Sequence, residues 1–188
     1  MWGDLPTSLE VKGTTYNIRT DFRDIINILL AFNDPDLEKE EQVYVCLFIL
    51  YEDFDSMPEE HYEAAFEAAL AFIDNGIKED DENKKSPRVI DWEQDEQIML
   101  PAVNKVAGFD VRTKKYLHWW SFLGYYMEIG EGVFAEVVNV RSKKAKGKKL
   151  EKHEQEFFKN NKALCNLKPK RSTEEQQARD RLMALLDN

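Results

Sequence analysis

The sequence predicts a mainly α-helical domain with a small N-terminal β-hairpin and a C-terminal helical extension. Three observations predict this fold class. Several segments carry apolar residues at three- and four-residue spacing, which is the repeat of one face of a helix. Residues 90–98 and 116–123 hold three of the four tryptophans, so two helices bearing them would dominate the core. A glycine near the N-terminus separates two short segments that read as the strands of a hairpin.

The composition is that of a folded domain without a membrane segment or a secretory signal. Of 188 residues, 43% are hydrophobic and 33% are charged, which is an ordinary globular balance. No apolar run approaches the roughly 20 residues that span a bilayer, and the N-terminus lacks the basic start of a signal peptide. We therefore expect an intracellular protein. Two distant cysteines, Cys46 and Cys165, predict free thiols rather than a disulfide or a zinc site.

The net charge of −10 hides two halves of opposite sign. Residues 1–100 contain 8 Lys/Arg and 25 Asp/Glu, a net of −17, whereas residues 101–188 contain 18 and 11, a net of +7. This polarity suits neutralisation within the chain or head-to-tail association between copies, and it disfavours general nucleic-acid binding by the acidic half. Solvated faces that segregate without a function explain it equally well.

The first elements are the hairpin and a helix. Residues 5–11 and 15–18 flank Gly13, which supplies the turn. Thr20 or Asp21 can cap the following helix, because a short polar side chain accepts a hydrogen bond from the first helical N–H groups. The apolar residues of this helix at helical spacing are Phe22, Ile25, Ile26, Leu29 and Leu30.

Two more helices are predicted before residue 75. Residues 33–36 contain a proline and break the first helix. The apolar run 43–51 could be a buried strand, but the acidic residues before it favour a helix over about 40–51. A third helix starts at residues 56–58 and ends at Asn75-Gly76. Its predicted apolar side consists of Tyr62, Phe66, Ala69, Leu70 and Ile73.

The two tryptophan-bearing helices follow an exposed polar loop at 78–88. The first runs from Asp91, its cap, to about Ala107, with a kink or short break predicted at Pro101. Its predicted buried residues are Trp92, Ile98, Met99, Ala102, Val103 and Val106. The second covers about 114–128, and its aromatic residues occupy nearly every side. Such a helix is central in the core or offers one face to a partner.

The remaining chain differs in composition from this core, because it becomes basic and its helices carry few apolar residues. Residues 133–140 are apolar and could be helix or strand, and residues 141–149 carry a basic run. Two helices follow at about 150–163 and 173–186, each with a thin apolar face. Phe157 and Phe158 form the first face, and Leu182, Met183, Leu185 and Leu186 the second. We predict a core domain, 1–140, and an extension, 141–188, that docks on it, swaps between copies or orders on binding.

No residue pattern predicts catalysis, a cofactor site or a metal site. The acidic residues Asp91, Glu93, Asp95 and Glu96 are interpreted as a solvated first helical turn rather than as ligands of a hard cation. His118 has no nucleophile or orienting acid signalled beside it and is interpreted as structural. The basic run lacks interleaved aromatic residues, so a linker that contacts an acidic surface is favoured over nucleic-acid binding.

Two strings of unusual composition carry a family resemblance: Asp91-Trp92-Glu93-Gln94-Asp95-Glu96 and Leu117-His118-Trp119-Trp120-Ser121-Phe122. With residues 16–23, 102–104, 108–112 and 138–143, they make the chain similar to a family of bacteriophage proteins named for gene product fifteen. That family occurs in tailed phages and prophages of Gram-positive bacteria. The resemblance extends over nearly the whole chain.

The resemblance implies a place in the tail-morphogenesis gene cluster, beside the tape-measure gene. The implied role is a non-enzymatic tail assembly chaperone or accessory factor, acting with the tape-measure protein, the tail-tube protein or both in the cytoplasm of the bacterial host. The alternative is a structural tail component retained in the virion. The family supplies no catalytic residues to transfer. As a partner-binding groove we predict the aromatic residues Trp119, Trp120, Tyr125 and Tyr126.

Overall fold

A computed structural model describes residues 3–75 and 87–186. The strands are β1 (Ser8–Val11) and β2 (Thr14–Asn17), and the helices before residue 75 are α1 (Phe22–Ala31), α2 (Lys39–Leu50) and α3 (Tyr62–Ile73). The later helices are α4 (Glu96–Ala107), α5 (Trp119–Met127), α6 (Val133–Ala145), α7 (Lys152–Asn160), α8 (Lys162–Cys165) and α9 (Thr173–Leu186). The predicted mainly α fold with an N-terminal hairpin is confirmed.

The hairpin is antiparallel and pairs Leu9 with Tyr16. Its turn is formed by Lys12 and Gly13, which both have positive φ (49° and 80°), the geometry that a two-residue hairpin turn requires. Beyond the hairpin, Ile18 forms an isolated bridge with Tyr51 at the end of α2. The hairpin is therefore tied to the helical core at the point where it leaves β2.

The main core is built by α1 to α5 and the hairpin. Phe22 of α1 stacks on Phe122 of α5 with ring centroids 4.5 Å apart. Tyr51 is fully buried and donates its hydroxyl to the carbonyl oxygen of Ala65 in α3 at 2.7 Å. The contact between Phe22 and Phe122 joins residues 100 positions apart in sequence, so one continuous core includes both the first helix and α5.

Two helices before residue 75 agree with the sequence, and one begins later than predicted. α1 starts after its cap Asp21, whose side chain accepts from the N–H of Arg23. α2 is helical rather than extended, with a reciprocal capping box between Glu38 and Glu41. Before α3 the chain forms two short 3₁₀ turns, Phe54–Ser56 and Glu59–His61, because Phe54 and Met57 turn into the core there.

The third helix ends shortly before Asn75, as predicted, and the predicted exposed loop follows it. Asn75, with φ of 56°, follows α3 in the left-handed conformation that ends many helices. Gly76 and residues 78–86 of the predicted loop lie outside the described residues, and 87–88 have no regular structure.

The two tryptophan helices both begin later than the sequence predicted. α4 starts at Glu96 rather than Asp91, because the Asp91 carboxylate accepts from the N–H groups of Glu93 and Gln94 and holds them in a turn. α4 then continues through the exposed Pro101 without the predicted break. The prediction that Val106 is buried is wrong: its side chain is 37% exposed.

α5 starts at Trp119 rather than Lys114, since the preceding residues are held extended against the start of α1. The N–H of Leu117 donates to the Asp21 carboxylate at 3.0 Å, and the N–H of Trp119 donates to the carbonyl of Thr20 at 2.7 Å. Asp21 and His118 form an isolated antiparallel bridge. Because this pairing competes with helix formation, residues 114–118 are not helical.

The segment at 133–140, which the sequence left open as helix or strand, belongs to helix α6. The C-terminal part of the chain packs on α4 by way of this helix. α6 runs from Val133 across residue 140, where the sequence placed a domain boundary, and includes the first part of the basic run. A small second cluster of Val137, Val140 and Cys165 joins α6 to α8. The predicted helix 150–163 is divided at Asn161 into α7 and α8, and α9 has its predicted bounds. The side chains of Leu182, Met183, Leu185 and Leu186 lie outside the description.

Both cysteines are free, as predicted, and both are buried. Across the described ranges, no helix combines the length and apolar character needed to cross a bilayer.

Candidate partner-binding site

Trp119 belongs to the core and not to the predicted aromatic groove. Its side chain is 2% exposed, and its indole N–H donates to the carbonyl oxygen of Ile73 at 2.8 Å. The ring also stacks on Phe122, with centroids 5.8 Å apart. A partner could not reach this side chain without opening the fold, so this part of the predicted groove is wrong.

The other three predicted aromatic residues are half-buried and point to different neighbours. Trp120 donates its indole N–H to the carbonyl of Phe72 at 2.8 Å and stacks on the Phe72 ring at 5.8 Å. Tyr125 meets Phe109 edge-on at 6.0 Å. Tyr126 packs between Trp92 and Phe134, at 5.5 and 5.9 Å. Of the four, Tyr126 alone lines the groove described next. Partner binding by Trp120 and Tyr125 stays a prediction.

A groove of about 420 Å³ lies between the end of α5 and the first half of α6. Its lining residues are Tyr126, Met127, Ile129, Phe134, Ala135, Val138, Asn139 and Ser142. The lining residue Met127, at the end of α5, is 57% exposed, so part of the apolar lining is open to solvent. Val133, the first residue of α6, is 51% exposed and directly precedes the lining residue Phe134. Burial raises the pKa of Tyr126 from 10 to about 12, so its hydroxyl is even further from ionising than that of an ordinary tyrosine. The groove is thus uncharged and mainly apolar.

The groove exists because α5 and α6 are joined by a short glycine-containing connection. α5 ends at Met127 and α6 begins at Val133, after Gly132, whose φ of 151° favours glycine. The sequence prediction did not include Met127 in a site. A signal was available, because Met127 is an apolar residue shortly before two glycines and is not one of the aromatic residues that the prediction singled out.

His118 serves the structure of α5, as the sequence interpretation held. Its Nδ1 accepts from the N–H of Trp120 at 3.1 Å, which caps the helix. With Nδ1 as acceptor, the proton lies on Nε2, which donates to the carbonyl of Pro6 at 3.0 Å. Both ring nitrogens are therefore engaged, and the imidazole links the N-terminal segment to α5.

The interpretation of Asp91 and Asp95 as part of a solvated turn is wrong. They are 6% and 1% exposed, and each has a cationic partner. Arg88 pairs with Asp91, and Arg141 of α6 binds Asp95 through two hydrogen bonds of 2.6 and 2.7 Å. Arg141 itself is 5% exposed, although it lies in the basic run that the sequence assigned to a solvated linker. Both carboxylates have structural roles, and Asp95 fixes α6 against the start of α4.

One cluster of side chains has the composition of a metal site. The ligand atoms of Glu136, His153 and Glu154 lie within 4.8 Å of one another. Both oxygens of Glu154 are already engaged, one by Asn139 and Lys143 and the other by the N–H of Glu151. A cation would have to displace the Lys143 ammonium, so the geometry favours an ion pair between α6 and α7 over metal binding.

This ion pair gives a prediction for the acid stability of the protein. The hydrogen bond from Lys143 is the largest of the effects that lower the pKa of Glu154 from 4.5 to about 2. A carboxylate with a lowered folded-state pKa stabilises the fold fully above about pH 4.5, and this contribution is lost as the pH falls toward about 2. Urea unfolding of Glu154→Gln should therefore show a weaker dependence on pH over that interval than the natural protein.

The exposed Glu156, two residues further along α7, offers the matched control. Glu156→Gln should keep the pH dependence of the natural protein. Equal pH profiles for the natural protein and Glu154→Gln would contradict the assigned role of Glu154.

The geometry defines a small, mainly α-helical domain with an uncharged apolar groove between two helices. The family model described as Bacteriophage Gp15 protein matches residues 1–167. The chain belongs to this family of bacteriophage proteins, as the resemblance of its sequence strings predicted. The match ends before α9. No curated protein and no solved structure matches the chain.

Proposed function

We propose that this phage protein acts in tail assembly without catalysing a reaction, as a chaperone for the tape-measure protein. In this proposal an apolar helical segment of the tape measure lies in the groove between α5 and α6. The observation that carries the proposal is the mainly apolar lining of that groove, in which the Met127 side chain is 57% exposed. The place in tail assembly rests on the family and on the gene neighbourhood that the resemblance implies.

The chemistry of the groove suits a helix of variable sequence. Grooves that receive amphipathic helices are apolar and bind side chains spaced one turn apart. Met127 is flexible and polarisable, so it can adapt to different apolar side chains along a long partner. A tape measure is a long, largely helical chain, and its apolar stripes would aggregate before tail protein encloses them. A protein that covers such stripes reversibly meets that need.

Co-expression with the neighbouring tape-measure protein tests the proposal. We expect the tape measure to be insoluble alone and to elute with this protein as a complex when both are present. The variant Met127→Glu should lose the complex, because a helix seated in the groove would bury the new carboxylate without a partner. The control is Leu5→Glu, since Leu5 is also an exposed apolar residue, 45% exposed, but lies outside the groove.

Circular dichroism melting curves should show that both variants fold like the natural protein. A complex that survives in the groove variant would refute the assignment of the groove. If the tape measure stays insoluble with the natural protein, the chaperone proposal fails. Detection of the protein in purified phage particles would instead favour the tail component retained in the virion.

A further inference from the structure

A second apolar surface lies on the opposite side of α2 from the core. The inner residues Cys46, Leu47 and Leu50 are fully buried, whereas Tyr44 and Phe48 on the outer side are 55% and 54% exposed. A helix that is apolar on all sides normally has protein on all sides. The core covers one side of α2 and leaves the other open.

The exposed rings form a preorganised shelf. Tyr44 and Phe48 stack with centroids 6.3 Å apart and planes 8° apart. Both meet Phe54 edge-on, at 5.2 and 6.2 Å, and Phe54 in turn packs on Tyr62. Because these neighbours hold the rings in place, little side-chain freedom remains to be lost on binding, which favours association.

The segment that carries these rings is strongly acidic. Residues 38–67 contain ten Asp/Glu and one Lys/Arg, a net charge of −9. Glu40 lies one helical turn before Tyr44, Glu52 follows the end of α2, and Asp55 adjoins Phe54; all three are exposed. We name the exposed rings of Tyr44 and Phe48 together with these three carboxylates the acidic aromatic face. A partner for it needs apolar side chains and a surplus of positive charge.

The chain itself carries a surface of that kind. Residues 143–171 contain eleven Lys/Arg and three Asp/Glu, a net of +8. In this basic segment Lys146, Lys148 and Lys149 are exposed, and Phe157 and Phe158 are half-buried. The two charges of −9 and +8 nearly cancel.

Within one copy, the helix that carries Tyr44 and Phe48 and the helix that carries Phe157 and Phe158 have different neighbours. α2 packs on α1, α3 and the first 3₁₀ turn, whereas α7 packs on α6 and α8. Among residues 3–75 and 87–186, no ion pair joins residues 38–67 to residues 143–171.

We propose that the acidic aromatic face is an interface on which the basic segment of a second copy docks, so that copies associate head to tail. Two different surfaces meet in such a contact, so each copy keeps one of each free. The contact then closes into a ring or continues as a helical array, depending on the rotation between neighbours. This inference is independent of the tape-measure groove, because α2 and the α5–α6 groove share no lining residue.

Sedimentation velocity at increasing concentration tests the proposal. The natural protein should associate in about 0.1 M salt, and association should weaken at least about tenfold in about 1 M salt, where the screening length falls from roughly 10 to 3 Å. Tyr44→Ser/Phe48→Ser should weaken association at both salt concentrations, because it removes apolar contact area. Met127→Ser/Val133→Ser is the matched control, since it removes exposed apolar groups elsewhere and should associate normally.

Charge exchange distinguishes a second copy from other occupants. The acidic-face variant Glu40→Lys/Glu52→Lys/Asp55→Lys and the basic-segment variant Lys146→Glu/Lys148→Glu/Lys149→Glu should each be monomeric alone. Mixed together they should associate, because every head-to-tail contact between the two variants again joins opposite charges.

Three results would overturn the inference: a natural protein that stays monomeric, a mixture of the two charge variants that fails to associate, or an acidic-face variant that associates with itself. Loss of the tape-measure complex in Tyr44→Ser/Phe48→Ser, with self-association unchanged, would assign the face to the tape measure instead. The groove variant and the α2 variant therefore report separately on the two proposals.

Discussion

Replacing Arg141 with methionine should lower the free energy of unfolding by about 3–5 kcal/mol, the range found when one member of a buried ion pair is removed. The Arg141 and Asp95 side chains are only 4% and 1% exposed, so the carboxylate would be left buried without its cation. Arg141 also donates to the carbonyl oxygens of Val89 and Leu164, and these would lose their donor. Urea unfolding followed by circular dichroism measures the loss.

Two comparison variants isolate the cause. Arg141→Met/Asp95→Leu should recover part of the loss, since an apolar pair of similar volume removes the unpaired charge. Arg112→Met breaks the ion pair with Asp110 at the surface and should leave the unfolding midpoint nearly unchanged, because solvent screens that pair. If Arg141→Met and Arg112→Met shift the midpoint equally, Arg141 does not hold α6 against α4 as described.

Truncating Trp119 to alanine should lower the free energy of unfolding by about 3–5 kcal/mol, because the cavity left in the core cannot close fully. The side chain touches Phe122 and Trp92 and donates a hydrogen bond to α3. Trp120→Ala should cost less, since the Trp120 ring is half-buried and solvent can fill part of the space it leaves. Thermal and urea unfolding measure both changes.

Trp119→Phe separates packing from the hydrogen bond to Ile73. It keeps an aromatic ring in the core and should recover more than half of the loss seen in Trp119→Ala. A larger loss for Trp120→Ala than for Trp119→Ala would contradict the assignment of Trp119 to the core and Trp120 to its edge.

Local patterns predicted the elements whose stability is local. The hairpin turn at Gly13, the cap at Asp21 and the bounds of α9 follow from turn chemistry and capping, which act within a few residues. The late start of α5 follows from the Asp21 carboxylate, which binds the N–H of Leu117 across 96 residues of sequence. A local pattern cannot contain such a contact.

Arg141 shows a signal that was present and misread. The five residues that follow it include three lysines, so its neighbours in sequence indicated that it is exposed to solvent. Its position in the helix indicated the opposite, because Val137 and Val140 are buried and Arg141 lies on the same side, one turn after Val137. Helical phase was a better guide to the burial of this residue than the charge of its neighbours.

The candidate site was predicted only in part for a related reason. The prediction selected the largest aromatic residues, but large rings bury the most apolar area and therefore belong in cores. Trp119 is accordingly buried. Met127 is the most exposed apolar residue of the groove lining, yet it is the last residue of α5 and lies outside any stripe. The groove beside it depends on the fold of the connection between α5 and α6.

Photocrosslinking from the groove tests the chaperone proposal most directly. A photoreactive amino acid in place of Met127, activated in cells during tail assembly, should give a crosslink to an apolar helical segment of the tape-measure protein. The same amino acid in place of Leu5 should give no such crosslink. A product with the tape measure at position 127 alone is the result that the proposal predicts, whereas equal crosslinking from both positions, or none to the tape measure, would contradict it.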